Sequence, residues 1–304
     1  MEYKKIFKNR KIRQKILRCI AWLPDKTMLK IQYRIKFGRK LNLNNPKRFT
    51  EKLQWYKMYY KNPELIECVD KYDVRAFVEK KGLGNILVES YGVYSNSKKI
   101  DFNKLPDKFV IKDTLGSGGN SVLIIDKTKQ LNFDKIRMVL DSWVMRNAHI
   151  KDGGREWPYY SGKQPRLLIE EYLEPDDKEI GLIDYKFFCF NGNVEFVYVM
   201  CDRKLGTSIK VGIYDRNYRK LNVRRVGDPE LPTDIGKPQK FEEMITIAEK
   251  LAESFPHVRV DLYNNKGMIK FGELTFYNAS GYMKYDPDTF DKYIGEKFKL
   301  PKKL

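Results

Sequence analysis

Cysteine and histidine are scarce in this chain. Its four cysteines, Cys19, Cys68, Cys189 and Cys201, are scattered with no CxxC pairing, and there are two histidines, His149 and His257. So few soft or imidazole donors leave a zinc site little to work with, and no Ser–His or Cys–His grouping stands out for covalent catalysis. Reduced thiols in a cytosolic protein are the plain expectation. No apolar run reaches eighteen residues, which excludes a conventional spanning helix, and the start lacks the apolar core expected of a signal peptide. There is no internal repeat. Acidic residues are nearly missing from the leading segment: residues 1–61 carry 19 Lys/Arg against 3 Asp/Glu, the other 243 carry 40 against 37. The net charge of +19 is therefore a local basic module on a nearly neutral body, not a protein-wide polyanion surface. With 42% hydrophobic and 13% aromatic residues the chain is too apolar for disorder, and 304 residues suffice for one large domain or two small ones.

In the basic segment Ile12, Ile16, Ile20 and Leu23 fall at helical spacing, and Pro24-Asp25 divides the pattern into two short basic amphipathic helices. Two readings stand side by side. Residues 1–40 dock on an anionic membrane surface, with Trp22 entering the interface, or they cap the main domain with solvated charges. Nucleic acid is not expected, because no aromatic–basic stacking surface recurs. Further on, Thr50 reads as the cap of a helix, and Pro63 to Gly82 as one helix containing Asp70, Lys71 and Arg75. Strands are expected over 107–112, 121–126, 166–173, 184–190, 194–203 and 211–215, with helices over 131–148 and 241–255. Hairpins interspersed with helices indicate an α+β fold.

Two stretches carry chemistry. The first is a strand ending in Lys112, followed by Asp113-Thr-Leu-Gly116-Ser117-Gly118-Gly119-Asn120 and a second strand from Ser121. Three glycines in four positions let a backbone fold over a ligand with its N–H groups turned inward, and Lys112 would set an ammonium against a phosphate. Neither a Walker A loop nor a Rossmann fingerprint fits, since a strand follows the glycines. Alone, such a hairpin also serves as a tight turn. The second stretch pairs Arg259-Val-Asp261-Leu-Tyr263 with Met268 to Phe276 across the turn Asn264-Asn265-Lys266-Gly267. Arg259 and Asp261 share a strand face. If Glu273 pairs opposite on that face, two carboxylates and a guanidinium converge, and a divalent metal is the usual charge placed between such acids. The competing reading is a solvated hairpin with surface acids. Lys186 and Arg203 have Asp184 and Asp202 as alternative partners, Tyr159 and Tyr160 read as packing or loop residues, and His257 as structural.

In order along the chain, Phe49-Thr-Glu-Lys-Leu-Gln-Trp55, Asp70-Lys71, Phe109-Val-Ile-Lys112, Ile169-Glu-Glu-Tyr172, Asp184-Tyr-Lys-Phe-Phe-Cys-Phe-Asn-Gly192, Arg259-Val-Asp-Leu-Tyr263 and Phe271-Gly-Glu-Leu-Thr275 together resemble the TupA-like family of ATP-grasp enzymes over roughly residues 45–285. The resemblance implies ATP between two α+β lobes. It implies Lys71 and Lys112 on the phosphates, Gly116, Ser117, Gly118, Gly119 and Ser121 in a lid above them, and Glu170, Glu171, Tyr172 and Leu173 as the hinge at the adenine. Asp177 or Glu179 would hold the ribose. Asp261 and Glu273 would bind Mg²⁺, and Arg259, Arg203 and Lys186 would face the γ-phosphate and the acyl intermediate. The family pattern has Asn where this chain has Thr275, which leaves Asn278, Thr275 or water as a further metal ligand. Residues 1–61 also depart from it, too short and basic for the usual preceding α/β domain.

The expected organisation is a basic helical segment at 1–61, a first lobe with the glycine flap at 62–175, and a second lobe with the metal-binding hairpin at 176–304. The expected activity is ATP-dependent carboxylate–amine ligation through an acyl phosphate. The substrates implied are a carboxylate-bearing glycan or sugar, a uronic acid in bacterial cell-surface polysaccharide synthesis, and an amine, handled in the cytoplasm at the inner face of the membrane. A glycosyltransferase is the alternative, although Asp286-Pro-Asp288 matches its metal motif only in form. A non-catalytic membrane adaptor would explain only residues 1–61.

Overall fold

The computed structural model describes residues 22–116, 119, 121–145, 151, 153–201, 209–231 and 235–303. Two antiparallel sheets organise them. The first has the order β1-β4-β2-β3, from β1 (Ser90–Tyr94), β2 (Lys108–Asp113), β3 (Val122–Asp126) and β4 (Leu167–Glu171). The second has the order β10-β9-β5-β6-β7, from β5 (Asp184–Phe190), β6 (Asn193–Cys201), β7 (Lys210–Asp215), β9 (His257–Asn265) and β10 (Met268–Thr275). A short pair, β8 (Arg224–Arg225) and β11 (Tyr285–Asp286), forms a third. The mixture of helices and antiparallel sheets is the expected α+β class.

Each sheet has its own core, because alternation along the strands delivers one apolar face. Phe109, Ile111, Ile125, Leu167 and Ile169 of the first sheet pack with Phe102 and with Leu140 of a helix at Phe133–Val144. Under the second sheet Phe187, Val258, Val260 and Leu262 meet Phe241, Met244, Ala248 and Leu251, on one face of a helix at Phe241–Ala252. Burying each such side chain contributes on the order of 1.5–3 kcal/mol. The other face of the second sheet is mixed: Phe188, Phe190, Phe196 and Tyr198 form a second apolar layer, with Phe49 packed on Phe188 and Phe190, beside the charged residues of the cleft.

The helices come in the order α1 (Asp25–Phe37), α2 (Phe49–Tyr59), α3 (Glu64–Cys68), α4 (Val74–Lys80), α5 (Phe133–Val144), α6 (Phe241–Ala252) and α7 (Thr289–Lys297). The stretch 63–82 is two short helices rather than one. Asp70 interrupts it, its Oδ1 accepting the backbone N–H of Tyr72 (2.9 Å) and Asp73 (3.0 Å), an Asx turn that competes with helix. Thr50 is not a cap either, since α2 starts before it. Its N–H and hydroxyl donate to the buried carboxylate of Asp291 on α7 at 2.9 and 2.8 Å, while Glu51 receives the N–H groups of Lys47 (2.9 Å) and Arg48 (3.1 Å). Tyr33 of α1 joins this node through Thr50 Oγ1 at 3.0 Å. Met28, Leu29 and Tyr33 are fully buried, so α1 caps the body, while Lys26, Lys30, Arg34, Ile31 and Ile35 face outward. Among the described residues no helix is long and apolar enough to cross a membrane. β1 and α7 have no counterpart in the sequence reading.

Candidate active site

The site is built on the charged part of the second sheet's face opposite the helix Phe241–Ala252. β9 pairs with β10 so that Glu273 lies opposite Asp261 and Thr275 opposite Arg259, and β5 on the other side sets Lys186 opposite Asp261. Directly opposed residues share a face. That pairing depends on a bulge between Phe271 and Glu273, where Gly272 is the extra residue. Without it Glu273 would oppose Val260 and point into the apolar core. A Cβ on Gly272 would sit 3.0 Å from the Asp261 carbonyl oxygen and 3.3 Å from the Tyr263 ring, which explains glycine here. The sequence carries the signal: apolar alternation through Ile269 and Phe271 resumes at Leu274, one residue late.

The charge between the two acids is Arg259. Its Nε donates to Asp261 Oδ1 (2.6 Å), and Nη2 donates to Asp261 Oδ2 (2.7 Å), Glu273 Oε1 (3.0 Å) and Thr275 Oγ1 (3.0 Å). Nη1 donates to Asn278 Oδ1. Lys186 Nζ bonds Asp261 Oδ2 and lies 2.5 Å from Asp184 Oδ2, the Asp184 pairing anticipated for it. Asp261 is 2% exposed, which removes the solvated-hairpin reading. Burial pushes the Asp261 carboxyl up, and Arg259 and Lys186 pull it back. Arg259 stays protonated, its carboxylate neighbours outweighing its burial. Thus the metal expected between these acids is not needed to hold them together.

Across the cleft, the end of β2 brings in two lysines. Lys71 is fixed by its own N–H bonding to Thr114 O at 2.9 Å, and its Nζ bonds Gly116 O and reaches within 4.0 Å of Glu273 Oε2. Burial pulls this ammonium below its ordinary range, with Glu273 opposing. Lys112 Nζ donates to Glu170 Oε2 at 2.6 Å, and Arg75 Nη1 stands 3.6 Å from the other oxygen of Glu170. Gly116 has no room for a side chain: a Cβ would meet Ser121 Cβ at 2.9 Å and Asp113 Cβ at 3.1 Å.

These groups enclose a cavity of about 310 Å³. Lys71, Lys112, Gly116, Gly119 and Ser121 line one side, and Asp184, Lys186, Arg259, Asp261, Glu273 and Thr275 another. Glu156, Tyr159, Arg225, Tyr277, Asn278 and Ser280 form a further wall. The glycine flap and the acidic hairpin therefore share one cavity. A larger hollow of about 580 Å³ beside β7 holds Lys220, Arg224, Glu230 and Asp286, but none of the groups gathered here.

The family model described as TupA-like ATPgrasp matches residues 51–299. The chain belongs to this family. Its α+β sheets thereby make up an ATP-grasp fold. No curated protein matches the chain. Among solved structures it is similar to D-alanine–D-alanine ligase from Bacillus anthracis (14% identity, 69% of this chain and 57% of that one, TM-score 0.42) and from Helicobacter pylori (11%, 85% and 68%, TM-score 0.43). It is also similar to L-amino acid ligase from Bacillus licheniformis (12%, 86% and 57%, TM-score 0.47). The chain spans little more than half the length of two of these three.

Not every residue expected at an ATP-grasp site lines this cavity. Glu170 lies beside Lys112, but its side chain is committed to that lysine, and Glu171 N–H is given to Glu89 O at 3.0 Å. The Tyr172 ring carries the Lys108 ammonium at 3.8 Å. Neither Tyr172 nor Leu173 lines the cavity. Asp177 accepts the N–H groups of Glu179 (2.7 Å) and Ile180 (3.2 Å) in its own exposed loop, away from the cavity lining, as is Glu179. Ser117, Gly118 and Arg203 lie outside the described residues. His257 is structural as expected, its Nδ1–H donating to Cys189 O at 2.9 Å among the rings of Phe49, Phe190 and Phe298. Cys68, Cys189 and Cys201 are buried and in no disulfide, and burial pushes the Cys68 thiol up to about 12, away from the reactive thiolate.

For Mg²⁺ the donor chemistry fits. Asp261, Glu273, Thr275 and Asn278 present hard oxygens around one guanidinium, and Glu273, 34% exposed, keeps the most access. Among the described residues no group of three or more His, Cys, Asp or Glu side chains could hold a metal alone, so bound Mg²⁺ would draw on phosphate and water oxygens. Glu156, Tyr159, Arg225 and Ser280 were missed as lining residues. They reach the cavity from loops and a two-residue strand, where no periodicity announces a facing direction.

Proposed function

We propose that this protein is an ATP-dependent carboxylate–amine ligase. One observation supports this above the rest: Lys71, Lys112 and the glycine flap face the acid-bearing hairpin of the second sheet across a single cavity. Such a cavity suits a nucleotide triphosphate, with Lys71, Lys112 and the flap holding phosphates, and Glu273 with Asp261 holding the Mg²⁺ that offsets their charge. In the first half-reaction a carboxylate oxygen of the substrate attacks the γ-phosphorus and ADP leaves, giving an acyl phosphate. Lys71 and Lys112 spread the charge of the moving phosphoryl group. In the second, the amine nitrogen attacks the acyl carbon, the C–O bond to phosphate breaks, and a C–N bond remains. Arg259 faces the developing oxyanion while Asp261, itself bonded by Lys186, holds it in place. No enzyme nucleophile is required, in keeping with the buried thiols.

Family membership suggests the substrate class: a uronic-acid carboxylate of a cell-surface glycan, joined to an amino acid or amino sugar, with the outward face of α1 (Lys26, Lys30, Arg34, Ile31, Ile35) suited to an anionic membrane. The glycosyltransferase reading gains nothing. Asp286 is bound by Arg224 at 2.6 Å, Asp288 by Arg39 and Arg48 at 3.0 and 2.9 Å, and neither lines the cavity. The test is ADP release with Mg²⁺ and ATP across a panel of uronates and amines. Release that requires both partners supports ligation; UDP-sugar turnover without ATP overturns it.

A further inference from the structure

The third wall of the cavity consists of the loop 153–160 and the turn Asn278–Gly281. The turn is unusual. Ala279 (φ 47°), Ser280 (φ 52°) and Gly281 (φ 69°) are all left-handed, and only the last is glycine. Two non-glycine residues held there cost on the order of 1–3 kcal/mol each and persist only where their surroundings impose them. Here α2 imposes them. Gln54 Nε2 donates to Ser280 O (3.1 Å) and Gly281 O (3.0 Å), while the buried Lys57 ammonium donates to Ser280 O (3.0 Å) and Gly154 O (2.7 Å). Lys57 thus ties the turn to the loop, and the tie presents Glu156 to the cavity with Ser280 Oγ donating to its Oε1. The turn is also anchored to the reaction centre, since Asn278 Oδ1 takes the Arg259 guanidinium.

We propose that Glu156 is the recognition group for the amine co-substrate, a primary amine that arrives as an ammonium ion. This rests on the ligase reading and adds the subsite that reading leaves open. Glu156 is the carboxylate of this wall, beside Arg225 and facing a centre where Lys71, Lys112, Lys186 and Arg259 lie among Asp184, Asp261 and Glu273. The other acids of the lining are engaged by cations, Asp261 by Arg259 and Lys186, Asp184 by Lys186 and Glu273 by Arg259, whereas Glu156 takes the Ser280 hydroxyl and is the acid of this wall that an incoming ammonium meets. Glu156 binds the ammonium and accepts its proton. The freed nitrogen lone pair attacks the acyl carbon, and phosphate departs with the electrons of the broken C–O bond. Lys57 and Gln54 are positioning residues that hold the turn.

Hydroxylamine, uncharged at pH 7.5, separates the subsite from the chemistry. Wild type, Glu156→Gln and Ser280→Ala are given Mg²⁺, ATP and D-glucuronate, with either hydroxylamine or glucosamine as the amine. Glu156→Gln is expected to form hydroxamate within about threefold of wild type while its KM for glucosamine rises at least tenfold. Ser280→Ala, which loses the hydroxyl bonded to Glu156 but keeps the carboxylate, is expected to raise the glucosamine KM by less than Glu156→Gln does. Equal glucosamine KM in wild type and Glu156→Gln overturns the assignment, as does an equal rise in Ser280→Ala. No hydroxamate from wild type overturns the ligase reading with this acyl donor, and the subsite with it.

Discussion

Replacing Lys112 by methionine separates two jobs that one ammonium does. Lys112 pairs with Glu170, whose side chain is 8% exposed, at 2.6 Å, and it also lines the cavity where phosphates are proposed to lie. Removing one partner of a buried pair costs about 3–5 kcal/mol when the remaining charge is left bare. Glu170 is not left bare, because Arg75 Nη1 stays 3.6 Å away, so roughly 1–3 kcal/mol is the reasonable range for Lys112→Met. In a chain of this size that lowers Tm by several degrees. The loss of a charge-assisted phosphate contact weakens ATP binding by about 1.5–3 kcal/mol, or roughly 10- to 150-fold. The double variant Lys112→Met/Glu170→Gln removes the stranded carboxylate and should regain most of the Tm without regaining affinity. Calorimetric titration with a non-hydrolysable ATP analogue and Mg²⁺, beside thermal melts of the three proteins, reads both quantities. Wild-type affinity in Lys112→Met removes this lysine from the nucleotide site. Affinity that returns with the Tm in the double variant shows that the first loss came through the fold.

Glu273→Gln is expected to cut ADP formation by at least about 100-fold with less than about 1 kcal/mol lost in denaturant melts; unchanged ADP output counts against its role at the metal. Arg259→Lys should destabilise by about 2–4 kcal/mol, because a single ammonium cannot reproduce the fork that serves Asp261, Glu273, Thr275 and Asn278, and a Tm within a degree of wild type contradicts that accounting. Burial lowers the His257 imidazole from 6.5 to about 3, so between those values the unfolded chain binds a proton that the native one does not. Stability should then fall as pH drops below 6.5, by about 1.4 kcal/mol per pH unit from this residue, and His257→Phe should show a pH dependence shallower by that amount in urea melts at pH 7.5, 6 and 5. Identical slopes would mean that His257 is protonated in the native state. Truncation through residue 40 should unfold the protein, since it removes Met28, Leu29 and Tyr33 from the core; a Tm within a few degrees of wild type refutes the packing of α1.

The parts of the site legible in the sequence are those that regular periodicity exposes. Arg259 and Asp261 two apart on a strand, a turn after Tyr263, and Lys112 ahead of a glycine cluster each follow from a short-range rule. What stayed hidden depends on departures from those rules or on distant chain segments. The Gly272 bulge turns Glu273 to the correct face, yet in sequence it is one slipped alternation. Asp70 reads as an ordinary helical residue until its side chain captures the N–H groups of Tyr72 and Asp73. Glu156 has no local mark at all, because Lys57, a hundred residues earlier, and a strained turn beyond residue 278 decide where it points. The apolar face of α6 was legible for the opposite reason: seven buried positions repeat at helical spacing.

The charges on the sheet face are paired among themselves. Opposed acids on adjacent strands destabilise a sheet unless cations lie among them. Here Asp184, Asp261 and Glu273 are met by Lys186, Arg259 and Lys71, so the face is near neutrality without any ligand. The three acids are not equivalent. Asp261 is held by Arg259 Nε and Nη2 and by Lys186, whereas Glu273 shares Nη2 with Asp261 and Thr275 and keeps a third of its side chain exposed. Glu273 can therefore exchange Arg259 for another cation while Asp261 keeps its partners and the sheet keeps its register. That asymmetry makes Glu273 the more accessible of the two acids to an incoming cation, while Asp261 also holds Arg259 in place. It is also why neutralising Glu273 should silence the enzyme and spare the fold, whereas neutralising Asp261 should strand two buried cations and damage both.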